Sequence, residues 1–209
     1  MRISSTGAPM VTAGAISLVA LAVVVGSLGW LHRAPTRLSP VRDPVSQYGI
    51  SAYRGGYRVA TIAFAAAGLA LAVGIDQTPG ISRSGAVVAL LVVFAVARAA
   101  ISWFPMDGPG ATRTATGRIH WLLALAAFGS ATAAAFRLAG SLRGGARWHS
   151  LAPTSRALAW AMLACLIVMA VSRSLPSVRA RFGAVERGFY LCAIAWFAVF
   201  AAACAAGAA

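Results

Sequence analysis

The stretch MVTAGAISLVALAVVVGSLGWL, Met10 to Leu31, decides the fold. It carries no charged side chain, and its 22 residues are enough for one helix to cross a bilayer, which takes about 20 mostly apolar residues. It follows Arg2, as a secretion signal might. However, it is longer than a signal h-region, and Trp30-Leu31-His32-Arg33 is not a small-residue cleavage site, so it reads as a retained first helix. Working outward, five more apolar runs follow. The spacing predicts helices over 10–31, 57–75, 84–104, 118–137, 156–173 and 188–206. The fifth has the shortest apolar run, Ala157–Ser172, with Arg156 and Arg173 able to snorkel at its ends. The expected fold is all-α: a polytopic membrane protein forming one compact bundle of six transmembrane helices over 1–209. An even number of spans leaves both termini on the same side. The expected location is the plasma membrane. The runs are rich in Ala and Gly, which let spanning helices approach closely where packing cannot draw on exclusion from water.

Composition supports the same class. Of the 209 residues, 60% are hydrophobic and 11% charged, where a soluble domain carries about a quarter. All 18 basic residues are Arg, against Asp43, Asp76, Asp107 and Glu186. Without Lys, no lysine Schiff base can form and no phosphate-binding GxxxxGK[ST] loop can be written. A net charge of +14 in a soluble protein would point to nucleic acid. Here the arginines punctuate apolar runs, so the expected partners are membrane lipids, including anionic headgroups, and no nucleic acid. Protein partners are not legible. Cys165, Cys192 and Cys204 lie inside apolar runs as small packing residues. The few His and acids give no ligand set, so neither a metal nor a cofactor is expected.

The loops on one face are patterned. They contain SPVRDPVSQYG after helix 1, WFPMDGPGATRTATGRIH after helix 3 and SRSLPSVRARFGAVERG before helix 6. Asp43, Asp107, Glu186, His32 and His120 all belong to this face, and on this reading all four acids of the chain lie in loops. Asp107 sits in a Pro/Gly-rich turn, where it either caps its own backbone or offers a carboxylate at the membrane surface. Thr and Gly before helix 4 leave backbone N–H groups open, and Arg113 and Arg118 add positive charge. Together they form an anion-site candidate, with helix capping by Thr114 or Thr116 as the alternative. Thr116 and His120, four apart, share a helix face, which places His120 toward the interior and Arg118 toward headgroups. An imidazole there can exchange a proton near neutral pH. Arg98 interrupts helix 3. Placing it there costs about 2.5–3.5 kcal/mol on insertion scales, so it should pair with Asp107 first or Asp43 second. Ser46 is a nucleophile only if His120 and Asp107 lie near it, and otherwise a helix cap. Arg42, beside Asp43, completes the set of anion-binding candidates.

At these residues a family resemblance enters. DPVSQYG after helix 1, FPMDGPG after helix 3 and TATGRIH opening helix 4 resemble the bacterial and archaeal membrane family called domain of unknown function 998. The resemblance covers nearly the whole chain. The family pattern has a Ser in the first loop, an Asp after a Pro in the third and Gly-x-x-His at helix 4, matched here by Ser46, Asp107 and His120. Its usual acid after the Ser is Gln47 in this chain. The resemblance implies a six-helix integral membrane protein and no particular activity.

Two functions follow from the residues. One is non-enzymatic lipid or anion binding, transport or an accessory role, with a polar Asp/Arg/His cluster on one membrane face. The other is a membrane-embedded hydrolase or transferase acting on a lipid or its phosphorylated headgroup, with Asp107, His120 and Ser46 as catalytic candidates. The first is favoured, because membrane enzymes usually concentrate several carboxylates or histidines and this chain has few. Eleven arginines flank the patterned face and six the other. The positive-inside rule would put the patterned face in the cytoplasm, whereas the compact basic loop between helices 4 and 5 reads as cytoplasmic in its own right, so the sequence leaves the orientation open.

Overall fold

The structure is a computed structural model describing residues 7–78, 81, 84–142, 145–172 and 174–207. Arg2, Arg83, Arg143 and Arg173, counted above among the loop arginines, lie outside the described residues. The helices are α1 (Ala8–Arg33), α2 (Arg54–Asp76), α3 (Ser84–Ala100), α4 (Ala115–Ser141), α5 (Gly145–Ser150), α6 (Ala152–Val171), α7 (Pro176–Arg179) and α8 (Phe182–Ala205). Two 3₁₀ turns, Val45–Ile50 and Ile101–Trp103, precede α2 and extend α3. Six segments are long and apolar enough to span a membrane: Ala8–Arg33, Arg54–Asp76, Gly85–Trp103, Ala115–Ser141, Arg147–Val171 and Phe182–Ala205. The protein is an all-α, multi-pass membrane protein.

The boundaries extend past the apolar runs because a helix continues through polar residues once its hydrogen bonds can be met. The fifth span, expected to be the shortest, is 25 residues long, and the third is the shortest at 19. The sixth helix begins at Phe182 rather than 188. Glu186 therefore sits inside α8, and Asp76 is the last residue of α2. This corrects the placement of all four acids in loops: the apolar count stopped at Arg187, one residue past a carboxylate that the helix buries.

The spans form a ring. Each of α1, α2, α3, α4, α6 and α8 packs on its neighbour in that order, and α8 closes on α1 and also touches α2. Close approach at the closure depends on Gly14, where an added Cβ would overlap the α8 backbone at Ala201 and Ala205. Ser155 links three helices: Trp196 Nε1 donates to its hydroxyl (2.8 Å), which donates to the Ala135 carbonyl (2.8 Å). At the end carrying the start of α1, Ile81 and Leu142 form a single antiparallel bridge. The patterned loops gather at the other end; α4 packs on α3 and α6 and touches α8 only slightly, across the ring.

Candidate functional site

The segment between α3 and α4 is built by local chemistry. Pro109 and Gly110 are the central residues of a turn closed by the Ala111 N–H donating to the Gly108 carbonyl (3.1 Å). Gly110 takes φ +76°, a value glycine reaches without a Cβ clash. The turn folds Asp107 back onto the start of α4. The Thr114 hydroxyl donates to its carboxylate at 2.6 Å and the Thr114 N–H at 3.2 Å. Thr114 Oγ1 in turn accepts from the Gly117 N–H at 3.0 Å, capping the helix. A Cβ on Gly117 would overlap the carboxylate, so the glycine makes room for it. The Thr114 hydroxyl chiefly, then its N–H and the charges of Arg113 and Arg118, hold the Asp107 carboxyl below the usual carboxylate range.

The loop after α1 is built on α8. The Ala184 N–H donates to the Val41 carbonyl (2.9 Å). The Val45 N–H donates to Glu186 Oε2 (2.7 Å). Arg187 Nη1 donates to the Asp43 carbonyl (2.8 Å), and its Nε donates to His32 Nε2 (2.6 Å). His32 Nδ1 donates to the Leu28 carbonyl (2.6 Å), which leaves Nε2 as the acceptor of the neutral ring. The Ala184 bond satisfies one open backbone donor at the start of α8, and together the bonds tie the Pro44–Ser46 segment to that helix.

Between these two assemblies lies a cavity of about 570 Å³. Its polar wall includes Ser46, Asp107, Arg113, Arg118, His120 and Glu186, and its apolar wall includes Met106, Trp121, Leu122 and Phe128. The α4 residues Gly117, His120, Trp121, Ala124 and Phe128 recur at helical spacing and form one side. Phe128 ends the cavity by stacking on Phe189 (centroids 4.4 Å apart) and meeting Tyr190 edge-on (5.7 Å). Trp121 and Leu122 are 46% and 56% exposed, so the apolar wall reaches the outer surface of the bundle.

Behind that floor is a second polar centre. Arg98 continues the buried face of α3 formed by Val87, Leu91, Phe94 and Ile101, and is 2% exposed. Its Nη1 donates to the Tyr190 hydroxyl at 2.9 Å. Its guanidinium lies 5.3 Å from the Tyr190 ring centroid and 5.7 Å from that of Phe64. Nε has no partner among the described residues. Tyr57 and Glu186 also act on it electrostatically. Arg98 therefore does not pair with Asp107 or Asp43 as anticipated. The Asp107 carboxylate is taken by Thr114, and Asp43 Oδ2 accepts from the Ser39 N–H at 2.7 Å. The partner of Arg98 comes from α8: the neutral Tyr190 hydroxyl accepts its hydrogen bond, and the Glu186 carboxyl acts on it at longer range.

The anticipated residues are distributed as follows. Ser46, Asp107, Arg113, Arg118 and His120 line the one cavity. They are not joined into a relay: the Ser46 hydroxyl points to Met106 Sδ (3.2 Å), and His120 Nδ1 bonds the Phe104 carbonyl (2.7 Å). A carbonyl only accepts, so His120 carries its proton on Nδ1. Ser46 does not cap a helix either, since Pro44 holds that position ahead of the 3₁₀ turn. Thr116 is half-buried and one residue off the lining face, and exposed Arg42 is also outside the lining. Glu186, Tyr190 and Tyr57 were missed as site residues. The sequence signal for the first two was the buried α8 stripe Glu186, Tyr190, Ala193, Phe197, Phe200, visible only if the periodicity is carried back across Arg187; Tyr57 belongs to α2. Among the described residues, no three His, Cys, Asp or Glu side chains gather as a metal-binding group.

A closed ring of six spans with an amphipathic cavity under its patterned loops defines a class: a multi-pass helical membrane protein. The chain belongs to the family described as Protein of unknown function (DUF998), whose profile matches residues 18–203, from within α1 to the last turns of α8. No curated protein and no solved structure matches it.

Proposed function

We propose that the protein is a non-enzymatic plasma-membrane protein that binds lipids or related amphiphiles with an anionic headgroup, in a transport or accessory role. Both termini lie on one side, with the arginine-rich patterned loops on the other. The observation that carries this is the cavity's two-ended lining. Arg113, Arg118 and His120 stand at its polar end, and Trp121, Leu122 and Phe128 form a wall that runs out to the lipid-facing surface. A volume of about 570 Å³ suits a headgroup with the first part of a chain. Binding is favoured over hydrolysis or transfer because Ser46, His120 and Asp107 each spend their hydrogen bond on a different partner.

Native mass spectrometry of the full chain with equimolar phosphatidylglycerol and phosphatidylcholine tests this reading. Preferential retention of phosphatidylglycerol is expected. A basic residue near an anionic headgroup is worth about 1 kcal/mol, so Arg113→Ala with Arg118→Ala should weaken that retention about 30-fold. Equal retention of both lipids, or retention unchanged in the double variant, overturns the proposal.

A further inference from the structure

The cavity has a feature that a simple anion receptor lacks, a buried carboxylate in its wall. Glu186 is 4% exposed and lines the cavity one turn above its floor, with Oε2 held by the Val45 N–H at 2.7 Å. The groups that face it come from every neighbouring element. Arg187 and Tyr190 lie on its own helix, Arg98 on α3 and Tyr57 on α2. His120 and Arg118 on α4, with Asp107 and Arg113 from the segment before it, line the same space. The loop after α1 contributes backbone, while the Asp43 carboxylate is turned to Ser39. Arg187 is committed to His32 and to the Asp43 and Gly183 carbonyls. Its Nη2 is buried without a partner among the described residues, so Arg187 and, behind Tyr190, Arg98 are the cations that act on Glu186.

An anion entering this space meets a like charge in surroundings that screen it poorly. Resting on the reading of the cavity as an anionic-amphiphile site, we infer that ligand entry is coupled to protonation of Glu186, one proton being taken up with each anion bound. The balance is simple. The singly charged ligand and a proton from solvent enter together, and Oε1 becomes O–H. Oε2 continues to accept from Val45, and the field of Arg98 is released to the ligand. No covalent bond to the ligand forms or breaks. The consequence is that the cavity loads when the compartment it faces turns acidic and empties when that compartment turns alkaline.

The test is titration calorimetry of the full chain in phosphatidylcholine nanodiscs. The probe is lysophosphatidylglycerol, a phosphodiester whose single charge is constant over about pH 5 to 8, the range in which perturbed carboxyls and histidines titrate. Repeating each point in buffers of different ionisation enthalpy counts the protons taken up. In the wild type, affinity should fall about tenfold per pH unit on the alkaline side, with one proton bound per ligand. Glu186→Gln, whose amide oxygen can still accept from Val45, should bind with a flat profile and no proton uptake. A flat wild-type profile overturns the coupling, and the buffer comparison on the wild type reads this out even if the variant fails to fold. A slope that survives Glu186→Gln and disappears in His120→Asn assigns the proton to His120 and also overturns it. No binding of lysophosphatidylglycerol at any pH removes the cavity reading itself and the coupling with it. Binding without proton uptake removes only the coupling.

Discussion

The protein carries two polar centres built from similar parts, and they behave differently. In the loop before α4, an acid, a hydroxyl and a helix start are joined by residues seven apart in the chain, with Thr114 exposed and Asp107 half-buried. Inside the ring, a guanidinium, a hydroxyl and aromatic faces are joined by residues 92 apart, with Arg98 and Tyr190 both buried. The first uses backbone donors that water would otherwise satisfy, so it tunes the geometry of the cavity mouth at modest energy. The second replaces water entirely for a charge held within the bundle, where an unmet partner is expensive. The lesson is that a polar residue's weight is set by what stands in for water around it, not by its own chemistry.

Several substitutions sharpen or break this contrast, and all are read by thermal unfolding in detergent unless noted. Arg98→Ala should be the most damaging, by about 3–5 kcal/mol, because it empties the buried space of a large side chain packed on Phe64 and Tyr190 and leaves the Tyr190 hydroxyl without its charged partner. A change below about 1 kcal/mol would show that the buried centre is not structural. Tyr190→Phe removes one charge-assisted hydrogen bond and should cost about 1.5–3 kcal/mol. At the exposed centre, Gly117→Ala drives a methyl group into the Asp107 carboxylate and should cost about 1–3 kcal/mol unless the loop moves aside. Thr114→Ala, which loses the cap, should cost about 1 kcal/mol, and Thr114→Ser should recover most of it.

The smallest expected effect is a pH dependence. The Asp107 carboxyl is held below the usual range by the Thr114 hydroxyl first, so its folded-state pKa lies below its unfolded value. Its contribution is fully present above the unfolded pKa, near 4, and is lost as pH falls through the lower folded value. Asp107→Asn should therefore lower stability slightly at neutral pH and make the decline below about pH 4 shallower. Double-mutant cycles separate the partners: Asp107 and Thr114 should couple, whereas Asp107 and His120, which bonds Phe104 instead, should be additive. Coupling between Asp107 and His120 would show that the two meet directly and would reopen an acid–base reading of the cavity.

Much of this was legible in the chain. The six apolar runs marked the six spans, and the patterned loops marked the end where the cavity lies. The Pro/Gly turn, the Thr114 cap and the interior face of His120 all follow from residues a few positions apart. What could not be read was which distant helix each polar residue would meet. The local alternatives for Arg98, Asp107 and Asp43, have their carboxylates satisfied by Thr114 and Ser39, and the partner came from α8. Glu186 was hidden because charge counting began the sixth helix too late.

By itself the sequence determined the class of the protein and its number of spans, and narrowed the cap of α4 to Thr114 or Thr116. These depend on hydrophobic length and on hydrogen bonds within a few residues, and a bilayer leaves a chain of this composition little other choice. Only the tertiary structure decided that the ring closes through Gly14 on α8, that Arg98 answers to Tyr190, and that Glu186 faces the cavity shared by Arg113, Arg118 and His120. Those pairings depend on which helix faces pack together across the ring, and they bring together side chains far apart in the chain.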